Sequence, residues 1–202
     1  MVDTMNTAYL VLGAIGSGKS VIADILLSGQ HLRGVEYISA DIYKQKYFNI
    51  PISMDKRGYR AADELAFCRI IEVCKAGSDF VHEFCPTNVN KIRTLKRILS
   101  KYGYVIIGLF VGTDDASINL GRCQRREQSG ADVVSENKIR GRYAVALEQI
   151  MDIVEVSSQM YFIDNTTDVP RILALFTGNT LEVWDCNCRW FNVSIQPRIS
   201  IT

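Results

Sequence analysis

Along this chain short unbroken apolar runs alternate with stretches in which apolar residues recur every third or fourth position. That alternation predicts strands joined by helices. Residues 8–12 form an apolar, β-rich run that ends in a glycine-rich segment, 13–18, and residues 21–28 then read as an amphipathic helix. Residues 35–39 predict a second strand, and 43–58 a polar, aromatic-bearing connection without strong periodicity. A helix over 61–75 puts Phe67, Ile70, Ile71 and Cys74 on its inner face and stops before Gly77, the position of a C-terminal cap. Residues 80–83 predict the third strand. Val89, Ile92, Leu95, Ile98, Leu99 and Tyr102 follow at helical spacing, with Lys91, Arg93, Arg97 and Lys101 opposite. The run 105–111 is apolar throughout, which fits a strand buried on both faces. A helix from Thr113 to about Gln128, a Ser129-Gly130 break and a second helix from a Ser135 N-cap to residue 156 come next. The fifth strand, 160–163, ends in Asp164-Asn165, and 180–195 reads as a hairpin or edge strand.

Strands alternating with helices of this length imply a parallel sheet of about five strands with helices on both faces. The 202 residues fit one domain, 1–178, with a small C-terminal β appendage over 179–202. A hydrophobic fraction of 48% with 22% charged residues is ordinary globular composition and argues against disorder or a coiled coil. The longest apolar runs fall far short of the ~20 residues a membrane span needs. The first residues lack the basic start of a secretory signal. Six cysteines in mostly apolar or helical contexts fit reduced thiols of the cytoplasm. Cys186 and Cys188 form a C-x-C without the second pair that a structural zinc site requires.

The segment Gly13-Ala14-Ile15-Gly16-Ser17-Gly18-Lys19-Ser20 matches G-x-x-x-x-G-K-[ST], between a predicted strand and a predicted helix. Glycines let successive backbone N–H groups point at phosphate oxygens, and the next helix, from Val21 on, adds the positive end of its dipole. Lys19 would bridge the β- and γ-phosphates and the Ser20 hydroxyl would ligate Mg²⁺. Asn90-Lys91-Ile92-Arg93 and Asn137-Lys138-Ile139-Arg140 both lack the aspartate that guanine recognition needs. No Asp directly ends the run 105–111, since Asp114 and Asp115 come late. Motor-type and transporter-type ATPases therefore give way to small phosphotransferases, and the expected class is a P-loop kinase-like α/β fold.

Lys+Arg 23 against Asp+Glu 22 leaves +1, which argues against nucleic acid and membrane partners. Neutrality hides a patch. Between residues 116 and 143, Arg122, Arg125, Arg126, Lys138, Arg140 and Arg142 exceed Glu127, Asp132 and Glu136 by three. Two readings are open: solvated helix faces paired with their own glutamates, or a two-helix arginine lid, about 113–143, whose planar cations surround a transferring phosphoryl group. Asp41 follows the second strand and Glu83 ends the third, where side chains face the ligand crevice of an open parallel sheet. Each is read either as a capping or surface acid or as a working carboxylate: one to take the acceptor's proton, the other to orient substrate or a metal-bound water. His82 alternates away from Glu83 and reads as packed or exposed rather than catalytic.

The ordered set of residues 13–20, Ser39-Ala40-Asp41, Glu83, Arg122-x-x-x-Arg126, Arg140-Gly141-Arg142-Tyr143 and Tyr161-Phe162-Ile163-Asp164-Asn165 resembles the zeta toxin family of P-loop kinases. The likeness covers about residues 8–176. It implies ATP- and Mg²⁺-dependent phosphorylation of a small-molecule hydroxyl, such as that of UDP-N-acetylglucosamine, and a protein antitoxin as partner. It further implies Asp41 as general base, Glu83 and Thr87 on the substrate side, Arg126 and Arg142 on the γ-phosphate, and Arg122, Asp164 and Asn165 on the nucleotide side. The chain departs from the family pattern at Phe84-Cys85-Pro86, which precede Thr87, and at Ala131 and Val134 near the lid tip. A nucleotide-binding regulatory module without acceptor turnover and a nucleic-acid end kinase are the alternative readings.

Overall fold

The structure, a computed structural model, describes residues 5–48, 56–131 and 133–199. Its frame is set by strands whose two faces are both apolar, because both are covered. β1 (Thr7–Gly13) and β4 (Val105–Gly112) pair in parallel at the centre, with Leu10 opposite Gly108 and Gly13 opposite Val111. β3 (Phe80–Phe84) lies on the other side of β1, then β2 (Glu36–Ser39) at the edge. β5 (Gln159–Asp164) pairs in parallel with β4.

Two further strands, β6 (Arg171–Thr177) and β7 (Thr180–Val183), add an antiparallel hairpin, so the order is β2-β3-β1-β4-β5-β6-β7. The five expected strands are thus all parallel, and the hairpin makes the sheet mixed and seven-stranded. The hairpin turns at Gly178-Asn179, with Gly178 at φ 62, and only its second strand falls within the expected 180–195 segment.

The helices are α1 (Lys19–Ser28), α2 (Ala40–Phe48), α3 (Lys56–Ala76), α4 (Val89–Lys101), α5 (Ala116–Gln128), α6 (Glu136–Glu148), α7 (Ile150–Val154), α8 (Arg189–Ser194) and α9 (Gln196–Ile199). Alternate strand residues divide between two layers. Val11, Val81, Leu109, Val111 and Ile163 pack with Ile22 and Ala23 of α1. Leu10, Leu12, Ile38, Phe80, Phe110 and Phe162 face the larger opposite cluster, built on α3, α4, α7 and α8. Fully buried rings such as Phe80 and Phe162 contribute about 1.5–3 kcal/mol each.

Three expectations change. The aperiodic stretch 43–58 contains helix: α2 runs to Phe48 and α3 begins at Lys56, while 49–55 lie outside the described residues. α2 has no apolar stripe because it lies between α3 and solvent; Tyr43 and Tyr47 stack one turn apart at 6.0 Å, and the buried polar residue Lys44 occupies an inner position. The helix expected over 135–156 breaks at Gln149, and Ser135 makes no side-chain cap. Arg198 donates to the carbonyls of Leu147 and Glu148 at 2.8 Å each, satisfying the last turn of α6 where it stops. The aromatic stretch after β7 is helix α8, with Trp190 and Phe191 buried in the same cluster as the strands. Gly112 makes room for it: a Cβ there would lie 2.4 Å from the Trp190 ring.

Candidate functional site

The chain leaves β1 for β2 at the far edge, returns to β3, then crosses to β4 on the other side of β1. That reversal opens a crevice at the carboxyl ends of β1, β3 and β4, where the loop Gly13–Ser20 sits. Three of its carbonyls are held by side-chain donors. Lys19 Nζ donates to Ala14 O at 2.9 Å, Asn119 Nδ2 to Ile15 O at 2.7 Å, and Asn165 Nδ2 to Ser17 O at 2.8 Å. Pinning the carbonyls on one side turns the peptide N–H groups toward the other, the arrangement that binds phosphate oxygens. Asn165 is itself fixed, its N–H donating to Gly112 O at 2.9 Å, and Asn119 accepts from Thr113 Oγ1 at 2.5 Å. Gly18, at φ 93, caps α1 and has no room for a side chain: a Cβ would stand 2.0 Å from Asn165 Nδ2.

In front of the loop lies a cleft of about 680 Å³, the size of a nucleotide site. Gly16, Gly18, Ser20 and Val21 form one wall; Arg122, Arg125 and Arg126 of α5 form the other. Arg122 Nη2 donates to Thr167 O at 3.3 Å, while Nη1 is shielded from solvent and has no partner among the described residues. A shielded guanidinium N–H without an acceptor fits an anion in the cleft. Both helices of the arginine pair are anchored: α5 buries Ala116, Asn119 and Cys123, while α6 buries Ile139 and Ala146 and donates Tyr143 OH to Thr113 O at 2.7 Å. Asp115 caps α5 by accepting from Ser117 N; the Ser117 hydroxyl first, and that N–H second, hold its carboxyl below the usual range.

The expected site residues divide between this cleft and its flanks. Arg126 lines the cleft; Arg142 does not, and stands near Lys138. Burial, then the charges of Arg142 and Lys44, lower the Lys138 ammonium pKa. Lys138 and Lys44 both lie over the Tyr59 ring, at 4.7 and 4.8 Å. Asp41 is exposed in the first turn of α2, its N–H held by Ser39 Oγ at 3.3 Å. Glu83 is buried at the end of β3 and accepts from Ser20 Oγ at 3.3 Å and from Tyr37 OH. Thr87 is half-buried beyond it, its N–H on Cys85 O.

Of the pair Asp164-Asn165, only Asn165 lines the cleft. The Asp164 carboxylate turns to the other side. It accepts from Thr166 Oγ1 at 2.5 Å, Arg171 at 2.8 Å and Trp190 Nε1 at 3.1 Å, bonds that hold its pKa low against the opposing effect of burial. His82 is packed: its Nδ1 meets Ile38 O at 2.9 Å, its ring stacks on Phe84, and burial pushes its pKa down to about 4.

Magnesium fits the donor set. Mg²⁺ takes few protein ligands and completes its shell with phosphate oxygens and water, and the loop offers the Ser20 hydroxyl beside the Glu83 carboxylate. No cluster of three or more His, Cys, Asp or Glu side chains suited to an all-protein metal site occurs among the described residues. No described helix is long and apolar enough to cross a membrane.

Sequence reasoning missed Asn119, Tyr37 and Trp190. The one available signal was a lone Asn on the inner face of a predicted helix, a position that polar residues occupy only with partners.

No family model and no curated protein matches the sequence. Solved structures do match. A chain of the AvrRxo1-ORF1:-ORF2 crystal structure with ATP superposes with a TM-score of 0.73 over 99% of this chain and 66% of that chain, at 13% identity. This chain therefore spans just under two thirds of that neighbour's length. A chain of the PezAT chromosomal toxin-antitoxin system of Streptococcus pneumoniae gives 0.61 over 80% of this chain and 68% of that one, at 14% identity. Shikimate kinase from Acinetobacter baumannii, in complex with shikimate, gives 0.51 over 82% and 85%, at 17% identity. At such identities the likeness is one of fold: this chain has the P-loop kinase fold that the zeta-toxin-like pattern of its sequence led us to expect.

Proposed function

We propose that the protein is a P-loop phosphotransferase that moves the γ-phosphoryl group of ATP to a hydroxyl of a small molecule in the cytoplasm. The observation that carries this reading is the cleft itself, with a phosphate loop on one wall and three arginines of α5 on the other. Lys19, resting on Ala14 O, has a short path to a bound phosphate, where its charge would offset the charge of the β- and γ-oxygens. Ser20, beside Glu83, would hold Mg²⁺, which would supply charge neutralisation to the nucleotide's phosphates. Arg126 faces the transferring group from α5, whereas Arg142 of α6 stands outside the cleft beside Lys138. Asp41, exposed beside the crevice, accepts the acceptor hydroxyl's proton as the new P–O bond forms. Glu83 and Thr87 flank the acceptor; Asn165 and Arg122 hold the nucleotide side.

The acceptor we favour is a nucleotide sugar such as UDP-N-acetylglucosamine, on the strength of the zeta-toxin-like pattern. The PezAT and AvrRxo1-ORF1:-ORF2 neighbours support a second protein, an antitoxin, as partner. Incubation with γ-labelled ATP, nucleotide sugars, nucleosides and cell extract tests the reading, with Lys19→Ala as the blank. Label should pass to one small molecule with the native protein and to none with the variant; label in no acceptor would overturn it.

A further inference from the structure

Tyr37 is half-buried on β2, an edge strand, and register explains its reach. It pairs with Val81, so Glu83 lies one diagonal step along β3 on the same face of the sheet. The Tyr37 phenol donates to Glu83 Oε2, and the Ser20 hydroxyl donates to Oε1 at 3.3 Å. Two hydroxyls from different elements thus converge on one buried carboxylate at the mouth of the phosphate cleft.

A hydroxyl carries one proton and two lone pairs. If the Ser20 proton is spent on Glu83, the same oxygen presents only lone pairs to the cleft, as a cation ligand must. That holds only while Glu83 keeps Oε1 toward Ser20. Glutamate's terminal torsion is soft and does not fix this by itself. Tyr37 supplies the constraint by occupying the second oxygen. Its phenol O–H donates to that oxygen from a neighbouring strand, independently of the loop.

We infer that Tyr37 is a positioning residue for the divalent cation: it locks Glu83 so that the carboxylate accepts the Ser20 O–H hydrogen bond and leaves that oxygen's lone pairs to bind the metal. The inference rests on the kinase reading and adds a residue outside the phosphate loop to its machinery. Outer partners of this kind, when removed, cost metal sites about 10- to 100-fold in affinity.

The test is calorimetric titration with ADP, in Mg²⁺ and in EDTA, of the native protein, Tyr37→Phe, Glu83→Gln and the double variant. Tyr37→Phe should weaken binding at least about tenfold in Mg²⁺ and leave the EDTA affinity unchanged, which also shows that the variant is folded. Glu83→Gln should show the same metal-selective loss. The double variant should bind no worse than Glu83→Gln, because Tyr37 acts through that carboxylate. Equal weakening with and without Mg²⁺, no weakening, or losses that add would overturn the role of Tyr37 while leaving the kinase reading standing. A native protein that binds no ADP in either buffer would overturn both.

Discussion

The phosphate half and the acceptor half of the crevice are built by opposite means. In the phosphate half we propose that backbone N–H groups do the binding, and three loop carbonyls each have their own side-chain donor: Lys19, Asn119 or Asn165. In the half we propose for the acceptor, the groups on offer are side chains. Asp41 stands exposed on a helix without an apolar stripe, and Arg142 and Lys138 gather beside Lys44 and Tyr59. Phosphate geometry is the same for every nucleoside triphosphate, so its cradle can be rigid and tied to the core. Acceptor choice requires side chains that can differ without disturbing that cradle.

The sharpest test of this division is Asp41→Asn. Turnover should fall about 10²- to 10⁴-fold while ADP affinity is unchanged, since the side chain touches none of the loop. Loss of nucleotide binding with turnover would break the comparison.

Acid should strain the acceptor side through His82, whose Nδ1–H···O=C bond to Ile38 ties β3 to the strand leading to Asp41. Burial lowers its folded pKa from 6.5 to about 4, so between those values the unfolded chain binds more protons. Stability present above pH 6.5 is therefore lost as pH falls toward 4, by up to about 3 kcal/mol. Thermal melts of native protein and His82→Gln across that window should diverge, the variant giving the flatter curve; parallel curves would count against it.

Gly18→Ala strikes the other half. Its Cβ would collide with Asn165 at φ 93, costing about 1–3 kcal/mol and lowering ADP affinity together with the melting temperature. Asn119→Ala leaves Ile15 O and the Thr113 hydroxyl without partners, for about 1–2 kcal/mol by denaturant melts. In both variants affinity and stability should move together, unlike at Asp41.

The parts of the fold legible in the sequence were those with strong periodicity. β1, its glycine loop, α4 and β4 announce themselves through apolar runs, helical spacing and glycine stops. α2 was invisible because its buried position holds the polar Lys44 while Ile42 and Tyr47 are exposed, so hydrophobicity marks no inner face, and it packs against α3. β6 lacks alternation because its Leu173 and Ala174 are both buried. α8 is six residues of aromatic and β-branched character, where composition does not separate helix from strand. At the site, loop residues were legible by motif, and Asp41 and Glu83 by their places at strand ends. Tyr37 was not, because nothing local to residue 37 reveals that register brings it to Glu83. Asp164 was misdirected by its neighbour: consecutive strand residues point to opposite faces, so Asn165 can close the phosphate loop while Asp164 holds Arg171 and Trp190.

The Asn165 latch also fixes when the site can exist. Its partner, Ser17, lies 148 positions earlier, and the Asn119–Ile15 bond spans 104. A ribosome that has just released the phosphate loop has made a sequence motif without a binding site. The Ser17 carbonyl stays unpinned until β5 has emerged and docked against β4, and Trp190 must follow to settle Asp164. The complete loop geometry thus arrives late in synthesis, set by contacts of long range in sequence.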